Sequence, residues 1–313
     1  MMTNLIAIGE CMVELARGND GRFGLAYGGD TFNTAVYASR MGASVAYATA
    51  LGDDAYSDGI AALAEEEGVD VSLIPRRKGR MPGLYLIETS AEGERTFFYW
   101  RDRSPARELF EHEDAATKIA ARMKQSAIVY FSGITLSLYS DAGLDKLESA
   151  LRDAKNSGAR IAFDGNFRPR GWPDRDRAKT IFKRFLSLCD IALPTFDDEQ
   201  MLWGDKTPED AIARIAGLGV SEIAVKNGPD GAYAHNGGAT KHVEVPGRVA
   251  AIDTTAAGDS FNAAYLAARL RDVAPDEAAL AGHRLAGVVI QHRGAIVPAE
   301  ATSGLKPQPA SAK

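Results

Sequence analysis

The sequence predicts an α/β fold with three layers, in which helices cover both faces of a mostly parallel central sheet. The main observation is that short apolar, β-rich runs alternate with longer amphipathic segments along most of the chain. With 313 residues, of which 45% are hydrophobic, the chain can bury a substantial core. Residues 82–101 depart from the alternation and predict a small β lid.

The elements before residue 70 alternate between strand and helix. NLIAIGE predicts a strand, and TFNTAVYASRMG predicts a helix that ends at Gly42. SVAYATALG and YSDGIAALAEEEG repeat this order, and the second helix ends at Gly68. Later in the chain, strands are predicted in AIVYFSG, ARIAFDGN, DIALPTF and SEIAVKNG, and amphipathic helices over 141–156 and 174–188.

Residues 82–101 predict a β-hairpin, because two strand-like runs flank a polar turn at 90–93 with no helix between them. A solvated hairpin cannot expose so many aromatic side chains, so one face must cover a ligand, a second subunit or the core. We interpret the hairpin as a lid over a cleft; a plain hairpin packed on the core is the alternative. The aromatic residues concerned are Tyr85, Phe97, Phe98, Tyr99 and Trp100.

Composition and charge exclude several classes of function. A formal net charge of -6 argues against a general nucleic-acid partner, which requires clustered Lys and Arg. Cys11 and Cys189 fit no disulfide or metal-binding spacing, so we expect buried thiols in a reducing cytoplasm. The five histidines have no metal-ligand spacing. No apolar run is long enough to span a membrane, and the N-terminal run has no signal-peptide pattern.

One glycine-containing motif suits phosphate binding. The chain lacks both GxxxxGK[ST] and a GxGxxG after a strand, which disfavours a Walker-type NTPase and a Rossmann dehydrogenase. DTTAAGDSF instead begins a predicted helix, where the amides of Ala256, Ala257 and Gly258 are placed to bind an anion. Asp259 is either a carboxylate that compensates the helix dipole or a general base beside a transferring phosphate.

Three further polar motifs are candidate ligand contacts. In GGDTFN, Gly29 permits close approach, while Asp30 and Asn33 suit sugar hydroxyls; the alternative is that Asp30 or Thr31 caps the helix. VKNGPDGAYAHNGG predicts two strands joined by a turn. FDGNFRPRGW follows a predicted strand, where α/β folds place ligand sites, and contains Asp164, Asn166 and Arg168.

With these motifs in this order, the sequence resembles the ribokinase-like carbohydrate kinases of the PfkB family over nearly its whole length. The resemblance rests on GGDTFN and on DTTAAGDSF. It is closest to the branch that acts on a 2-keto-3-deoxy sugar acid, through IGECMVEL, GGDTFNTAVYASR, PGLYLIETSAEGERTFFYWR, FDGNFRPRGW and VIQHRGAIVP. It implies a kinase domain over residues 1–303, with a β lid built from about 10–28 and 75–105, and a flexible tail over 304–313.

The resemblance implies ATP-dependent phosphorylation, with Mg2+, of the C6 hydroxyl of 2-dehydro-3-deoxy-D-gluconate. Arg101 and Arg168 favour an acid as acceptor, because a guanidinium forms charge-assisted bonds with a carboxylate. Alternatives are a kinase of the same fold for 2-keto-3-deoxygalactonate, fructose or ribose, and a non-catalytic sugar-acid sensor. The family also suggests a monovalent-cation site near Asp253 and pairing of two subunits through the lid.

Carried over to this sequence, the resemblance implies that Asp259 is the catalytic base and that the amides of Ala256, Ala257 and Gly258 form the anion hole. The residues expected to contact the sugar acid are Gly29, Asp30, Asn33, Tyr85, Tyr99, Arg101 and Arg168. Those expected near the nucleotide are Asp164, Asn166, Lys226, Gly228 and Gly231, together with Ala256 and Gly258. The family's N-x-x-E motif is replaced by Thr195 and Asp198, so no metal ligand is assigned.

Overall fold

The computed structural model describes residues 4–18, 20–89 and 95–306; the turn predicted at 90–93 and residues 307–313 of the predicted tail lie outside these ranges. The strands are β1 (Leu5–Ile8), β2 (Met12–Arg17), β3 (Phe23–Gly28), β4 (Val45–Ala48), β5 (Leu84–Thr89), β6 (Arg95–Trp100), β7 (Ile128–Ser132), β8 (Arg160–Asp164), β9 (Ile191–Ala192), β10 (Glu222–Lys226), β11 (Ala232–Asn236) and β12 (Ala239–Val243). The helices are α1 (Asp30–Arg40), α2 (Ala55–Glu66), α3 (Glu113–Met123), α4 (Gly133–Leu138), α5 (Asp141–Asn156), α6 (Arg175–Leu186), α7 (Phe196–Trp203), α8 (Pro208–Ala216), α9 (Ala257–Arg269), α10 (Pro275–Val289) and α11 (Ala299–Thr302).

The central sheet has the strand order β12-β11-β10-β9-β8-β7-β1-β4 among the described residues. The strands from β10 to β4 are parallel, whereas β10, β11 and β12 are joined by antiparallel pairing. The predicted mostly parallel sheet is therefore confirmed. Because the carboxyl ends of parallel strands meet at one edge, the loops after β1, β8 and β10 are brought together there.

Each face of the central sheet has its own hydrophobic core, as the three-layer prediction requires. Along β1, Leu5 and Ala7 pack into a cluster formed with α1, α9 and α10, while Ile6 and Ile8 pack into a cluster formed with α5 and α6. This alternation follows from the two-residue period of a strand. A parallel sheet buried on both faces explains why its strands read as continuous apolar runs.

A second, four-stranded sheet lies outside the central one, with the order β3-β2-β5-β6. Strands β5 and β6 pair antiparallel, so the predicted hairpin is confirmed, and β5 pairs with β2 in parallel. Met12, Tyr85 and Ile87 form a small buried cluster on one face of this sheet. We refer to this four-stranded sheet as the lid sheet.

The glycines predicted to end the first two helices are confirmed, whereas several predicted strands are longer than the observed ones. Gly42 and Gly68 follow α1 and α2 with φ of 89° and 73°, the left-handed conformation in which glycine is favoured. DIALPTF contains only a two-residue strand, Ile191–Ala192. Ser303–Leu305 form a 3-10 helix, which includes the first two residues of the predicted tail.

Cys11 and Cys189 are free and buried, and burial raises the pKa of both thiols. No helix of the described residues is long and apolar enough to cross a membrane.

Candidate active site

A cavity of about 520 Å3 lies between the lid sheet and the core. This cavity is lined by seven residues that the sequence predicts to contact a sugar acid: Gly29, Asp30, Asn33, Tyr85, Tyr99, Arg101 and Arg168. Positions from four separate stretches of the sequence therefore meet around one space. Glu10, Arg107 and Arg170 also line the cavity but are not among the predicted contacts.

Asp259 lies in the first turn of α9, and its carboxylate Oδ2 accepts a hydrogen bond of 2.8 Å from Nδ2 of Asn33 on α1. Burial and, secondly, the nearby carboxylate of Asp30 raise the pKa of Asp259 to about 7, although the bond from Asn33 opposes this rise. A carboxyl group that only compensated a helix dipole would favour its charged form and keep a low pKa. The observed environment instead suits a proton acceptor near neutral pH.

The backbone before Asp259 is the candidate anion site. Ala256 is the N-cap of α9 and has φ 58° and ψ 16°, a left-handed conformation that is unfavourable for a residue with a Cβ, by about 1–2 kcal/mol. No side chain of the described residues caps this helix. The Ala257 amide donates to the carbonyl of Thr254 at 3.2 Å, so a bound anion would draw mainly on the neighbouring first-turn amides, including that of Gly258.

Asp253 anchors the loop that leads into α9. Its Oδ1 accepts from the amide of Thr255 at 2.9 Å, and its Oδ2 accepts from the amide of Gly294 at 2.8 Å. The carboxylate therefore ties the loop to the segment after α10. One of these amides lies in the loop before α9 and the other in the segment after α10. The position of the α9 N-terminus therefore depends on both segments.

Asp30 does not cap α1, so the capping alternative is wrong. The N-cap is Gly29, and no side chain in the described ranges makes a capping bond there. The Oδ2 atom of Asp30 accepts instead from Nδ2 of Asn166 at 2.9 Å, and Asn166 has the left-handed φ of 35°. A glycine is required at position 29 because a Cβ there would lie 2.0 Å from the carbonyl oxygen of Glu10.

Asp164 and Lys226 form a buried ion pair beneath the first turns of α9. The ammonium of Lys226 lies 2.9 Å from Asp164 Oδ2 and 2.9 Å from Asn262 Oδ1, while Nδ2 of Asn262 donates to the same Asp164 oxygen at 2.6 Å. The two charged residues are only 2% and 6% exposed. Their side chains therefore satisfy one another, and the expectation that both lie near the nucleotide stays a prediction. A Cβ on Gly258 would lie 3.5 Å from the same ammonium, so the pair lies next to the candidate anion site.

The lid sheet contributes an aromatic wall to the cavity. Tyr85, Phe97 and Tyr99 line it with ring centroids 6.0–6.4 Å apart. The Tyr85 hydroxyl donates to the buried carboxylate of Glu14 and is thus held in place. Arg170, in the loop after β8, donates to the Phe97 carbonyl at 2.6 Å and lies over the Tyr99 ring, which links the core to β6.

The two arginines predicted to bind a carboxylate are each paired with an acidic residue. Arg101 forms an ion pair with the buried carboxylate of Glu10. Nη1 of Arg168 lies 3.0 and 3.1 Å from the two carboxylate oxygens of Asp198. Thr195, the other residue in place of the N-x-x-E motif, is the N-cap of α7, and its own side chain makes no capping bond.

The glycine-containing turn predicted to border the nucleotide lies after β10. Gly228 and Gly231 have φ of 54° and 93°; Gly228 begins a 3-10 helix between β10 and β11, and Gly231 follows its last residue. The 3-10 helix begins two residues after Lys226, the last residue of β10, whose ammonium lies next to Gly258 of α9. Within the described ranges, no group of three or more His, Cys, Asp or Glu side chains could hold a metal ion. Magnesium bound with nucleotide phosphates needs only one or two carboxylates, so this observation fits Mg-ATP as well.

Comparison with known proteins places the chain among carbohydrate kinases. A family model described as pfkB family carbohydrate kinase matches residues 2–302. The 2-dehydro-3-deoxygluconokinase of Escherichia coli strain K12 is 43% identical over 310 residues, covering 96% of this chain and 99% of the relative.

Two solved structures share the fold. A putative ribokinase II from E. coli, in complex with ATP and Mg2+, has a TM-score of 0.83 at 24% identity, covering 94% of each chain. A 2-dehydro-3-deoxygluconokinase from Thermotoga maritima has a TM-score of 0.79 at 21% identity, covering 97% of this chain and 99% of that chain. At these identities, both likenesses establish the fold alone.

Proposed function

The chain belongs to the pfkB family of carbohydrate kinases, and we propose that it transfers the terminal phosphoryl group of ATP to the C6 hydroxyl of 2-dehydro-3-deoxy-D-gluconate. The observation that carries this proposal is a cavity lined by arginine and tyrosine side chains, one of whose lining residues, Asn33, donates a hydrogen bond to Asp259 in the first turn of α9. The E. coli relative, 43% identical over nearly the full length of both chains, carries the name of this activity.

In the proposed reaction, Asp259 accepts the proton of the C6 hydroxyl as that oxygen bonds to phosphorus. Asn33 holds the carboxylate in place through its 2.8 Å hydrogen bond. General-base assistance of this kind contributes about 100- to 10,000-fold. The raised pKa of Asp259, about 7, makes the carboxylate a stronger base than an exposed aspartate while leaving it largely ionised just above neutral pH.

The amides of Ala256 and Gly258 at the N-terminus of α9 stabilise charge on the transferring group, whereas the predicted third donor, the Ala257 amide, is bonded to the Thr254 carbonyl. Each donor of an anion hole contributes about 3–4 kcal/mol. Mg2+ bound with ATP supplies further neutralisation of phosphate charge. Lys226 supports the N-terminal part of α9 through its hydrogen bonds to Asp164 and Asn262. Gly228 and Gly231 border the nucleotide. Asn166 orients Asp30 toward the sugar hydroxyls.

A monovalent cation near Asp253 is compatible with the family, and dependence of turnover on added K+ would test it.

A substrate panel tests the proposed function. Purified enzyme with Mg-ATP is assayed for ADP release against 2-dehydro-3-deoxygluconate, 2-keto-3-deoxygalactonate, fructose and ribose. We expect the highest kcat/KM with 2-dehydro-3-deoxygluconate. Preference for a neutral sugar would show a kinase of different specificity, and failure to release ADP with any of them would favour a non-catalytic sugar-acid sensor.

The outer face of the lid sheet supports pairing of two copies. Cross-strand neighbours Leu15, Leu25, Leu86 and Phe98 lie on the face opposite Tyr85, and Leu25 is 53% exposed. Trp100, on the same face, is 59% exposed. Such a contiguous apolar surface is typical of an interface. We propose a homodimer through the lid sheets.

Sedimentation of the wild-type protein and of Leu25→Glu tests this dimer. We expect a wild-type dimer and a monomeric variant, because each charge would be buried in the symmetric interface. Glu65→Gln, an exposed change on α2 outside the lid, serves as the control. A wild-type protein that sediments as a monomer at micromolar concentration would contradict the pairing.

A further inference from the structure

Four arginines line the cavity, and three of them have partners within the protein. Arg101 is paired with Glu10, and Arg168 with Asp198. Arg170 donates to a backbone carbonyl and lies over Tyr99. The guanidinium of the fourth, Arg107, has no hydrogen-bond or ion-pair partner among the described residues. The cavity wall therefore contains one arginine whose charge the described part of the protein leaves uncompensated.

The position of Arg107 is fixed by its surroundings. It belongs to the 3-10 helix Pro105–Glu108, and its amide donates to the carbonyl of Ser104 at 3.2 Å. Its neighbours Ala106 and Leu109 are 1% and 0% exposed. These buried neighbours hold the backbone of the short helix against the core. The Arg107 side chain therefore lines the cavity from a fixed backbone position.

Charge on the cavity wall makes this arginine significant. Glu10, Asp30 and Asp102 also line the cavity, and Asp198 lies against Arg168. An incoming carboxylate therefore has to share Arg101 with Glu10 and Arg168 with Asp198. Arg107 carries a full positive charge that no acidic residue of the described chain neutralises, and a guanidinium binds a carboxylate through two parallel hydrogen bonds.

We propose that Arg107 binds the carboxylate of the sugar acid and determines the preference of the enzyme for acids over neutral sugars. This inference rests on the proposed function, since it takes the acceptor to be a sugar acid. Arg101 and Arg168, held by Glu10 and Asp198, form the walls beside that carboxylate. Arg107 acts on binding rather than on proton transfer, which belongs to Asp259.

The test compares 2-dehydro-3-deoxygluconate with its carboxamide, which has the same shape but no charge. For Arg107→Gln we expect kcat/KM with the acid to fall about 10- to 100-fold, mostly through KM, because a charge-assisted hydrogen bond is lost. With the carboxamide, kcat/KM should change less than about twofold, since no charge is paired. Arg107→Lys should retain only part of the acid preference, because it keeps the charge but loses the pair of parallel hydrogen bonds.

Arg103→Gln is the matched control. Arg103 is exposed, lies four positions earlier and does not line the cavity, so its kinetics should match those of the wild type. Thermal melting of each variant separates loss of fold from loss of binding, and Arg107→Lys carries the comparison if Arg107→Gln does not fold.

Two results would overturn the assignment of Arg107: equal losses with the acid and the carboxamide, or no loss with either. Both presuppose that the wild-type enzyme phosphorylates the acid. A wild-type enzyme that does not turn over the acid would overturn the proposed function, and with it this assignment. The two failures are thus distinguished by the wild-type rate alone.

Discussion

Replacing Asp259 by Asn is expected to lower kcat by at least about 100-fold, the lower end of what general-base assistance contributes. The fold should remain intact, because an amide oxygen can still accept the hydrogen bond from Asn33, whose Nδ2 lies 2.8 Å from the wild-type carboxylate. KM for the sugar acid should therefore change little. The measurement is steady-state ADP release by wild-type and variant enzymes at saturating Mg-ATP.

The stability of this variant separates a catalytic role from a structural one. The pKa of Asp259 is raised from 3.8 to about 7 in the folded chain, so its ionisation between these values works against folding. The stability that the protonated Asp259 carboxyl group contributes to the folded state is fully present below pH about 4 and is lost as the pH rises through about 7. Because Asn cannot ionise, Asp259→Asn should melt at or above the wild-type temperature at pH 8. A variant that keeps near-normal turnover would remove Asp259 from the mechanism.

The same pKa predicts how the wild-type rate depends on pH. A base must be deprotonated to act, so kcat/KM should fall about tenfold per pH unit below pH about 7 and level off above it. Asp259→Asn should lose this limb, and its residual rate should be flat across the same range. A wild-type profile that stays level from pH about 5.5 to about 8 would contradict the assignment.

Local motifs were sufficient to predict the fold and the N-terminus of α9, because helix ends, turns and apolar periodicity are encoded over short stretches of sequence. The glycines after α1 and α2 are of this kind. In contrast, Asn33 meets Asp259 across 226 positions of sequence. The identity of such a partner depends on how α1 packs against α9, which no local pattern encodes.

Pairings of charged side chains were the least predictable part of the site. Arg101 and Arg168 were identified as cations suited to a carboxylate, but their acidic partners Glu10 and Asp198 were not. Glu10 could have been suspected, since it follows β1 at the carboxyl edge of the sheet where ligand sites form. Arg107 has no sequence signal, because a lone arginine is normally a solvated side chain.

Lys226→Met is expected to destabilise the protein by about 3–5 kcal/mol, the largest stability effect that the site offers. The substitution leaves the Asp164 carboxylate, 2% exposed, without its cation, and the Asn262 side chain alone cannot replace the charge. Urea unfolding measures the change. The matched control is Lys241→Met: the ion pair of Lys241 with Asp276 is on the surface, so its loss should change the stability far less.

The double variant Asp164→Asn/Lys226→Met distinguishes a lost charge pair from a lost packing contact. Removing both charges leaves no carboxylate of this pair uncompensated, so the double variant should recover much of the stability lost in Lys226→Met.

The positive charge of Lys226 also lowers the pKa of Asp259, against the effect of burial. Lys226→Met should therefore shift the acidic limb of the kcat/KM profile to higher pH, whereas Lys241→Met should leave it in place. A Lys226→Met enzyme with wild-type stability and an unshifted profile would show that the ammonium supports neither Asp164 nor the base.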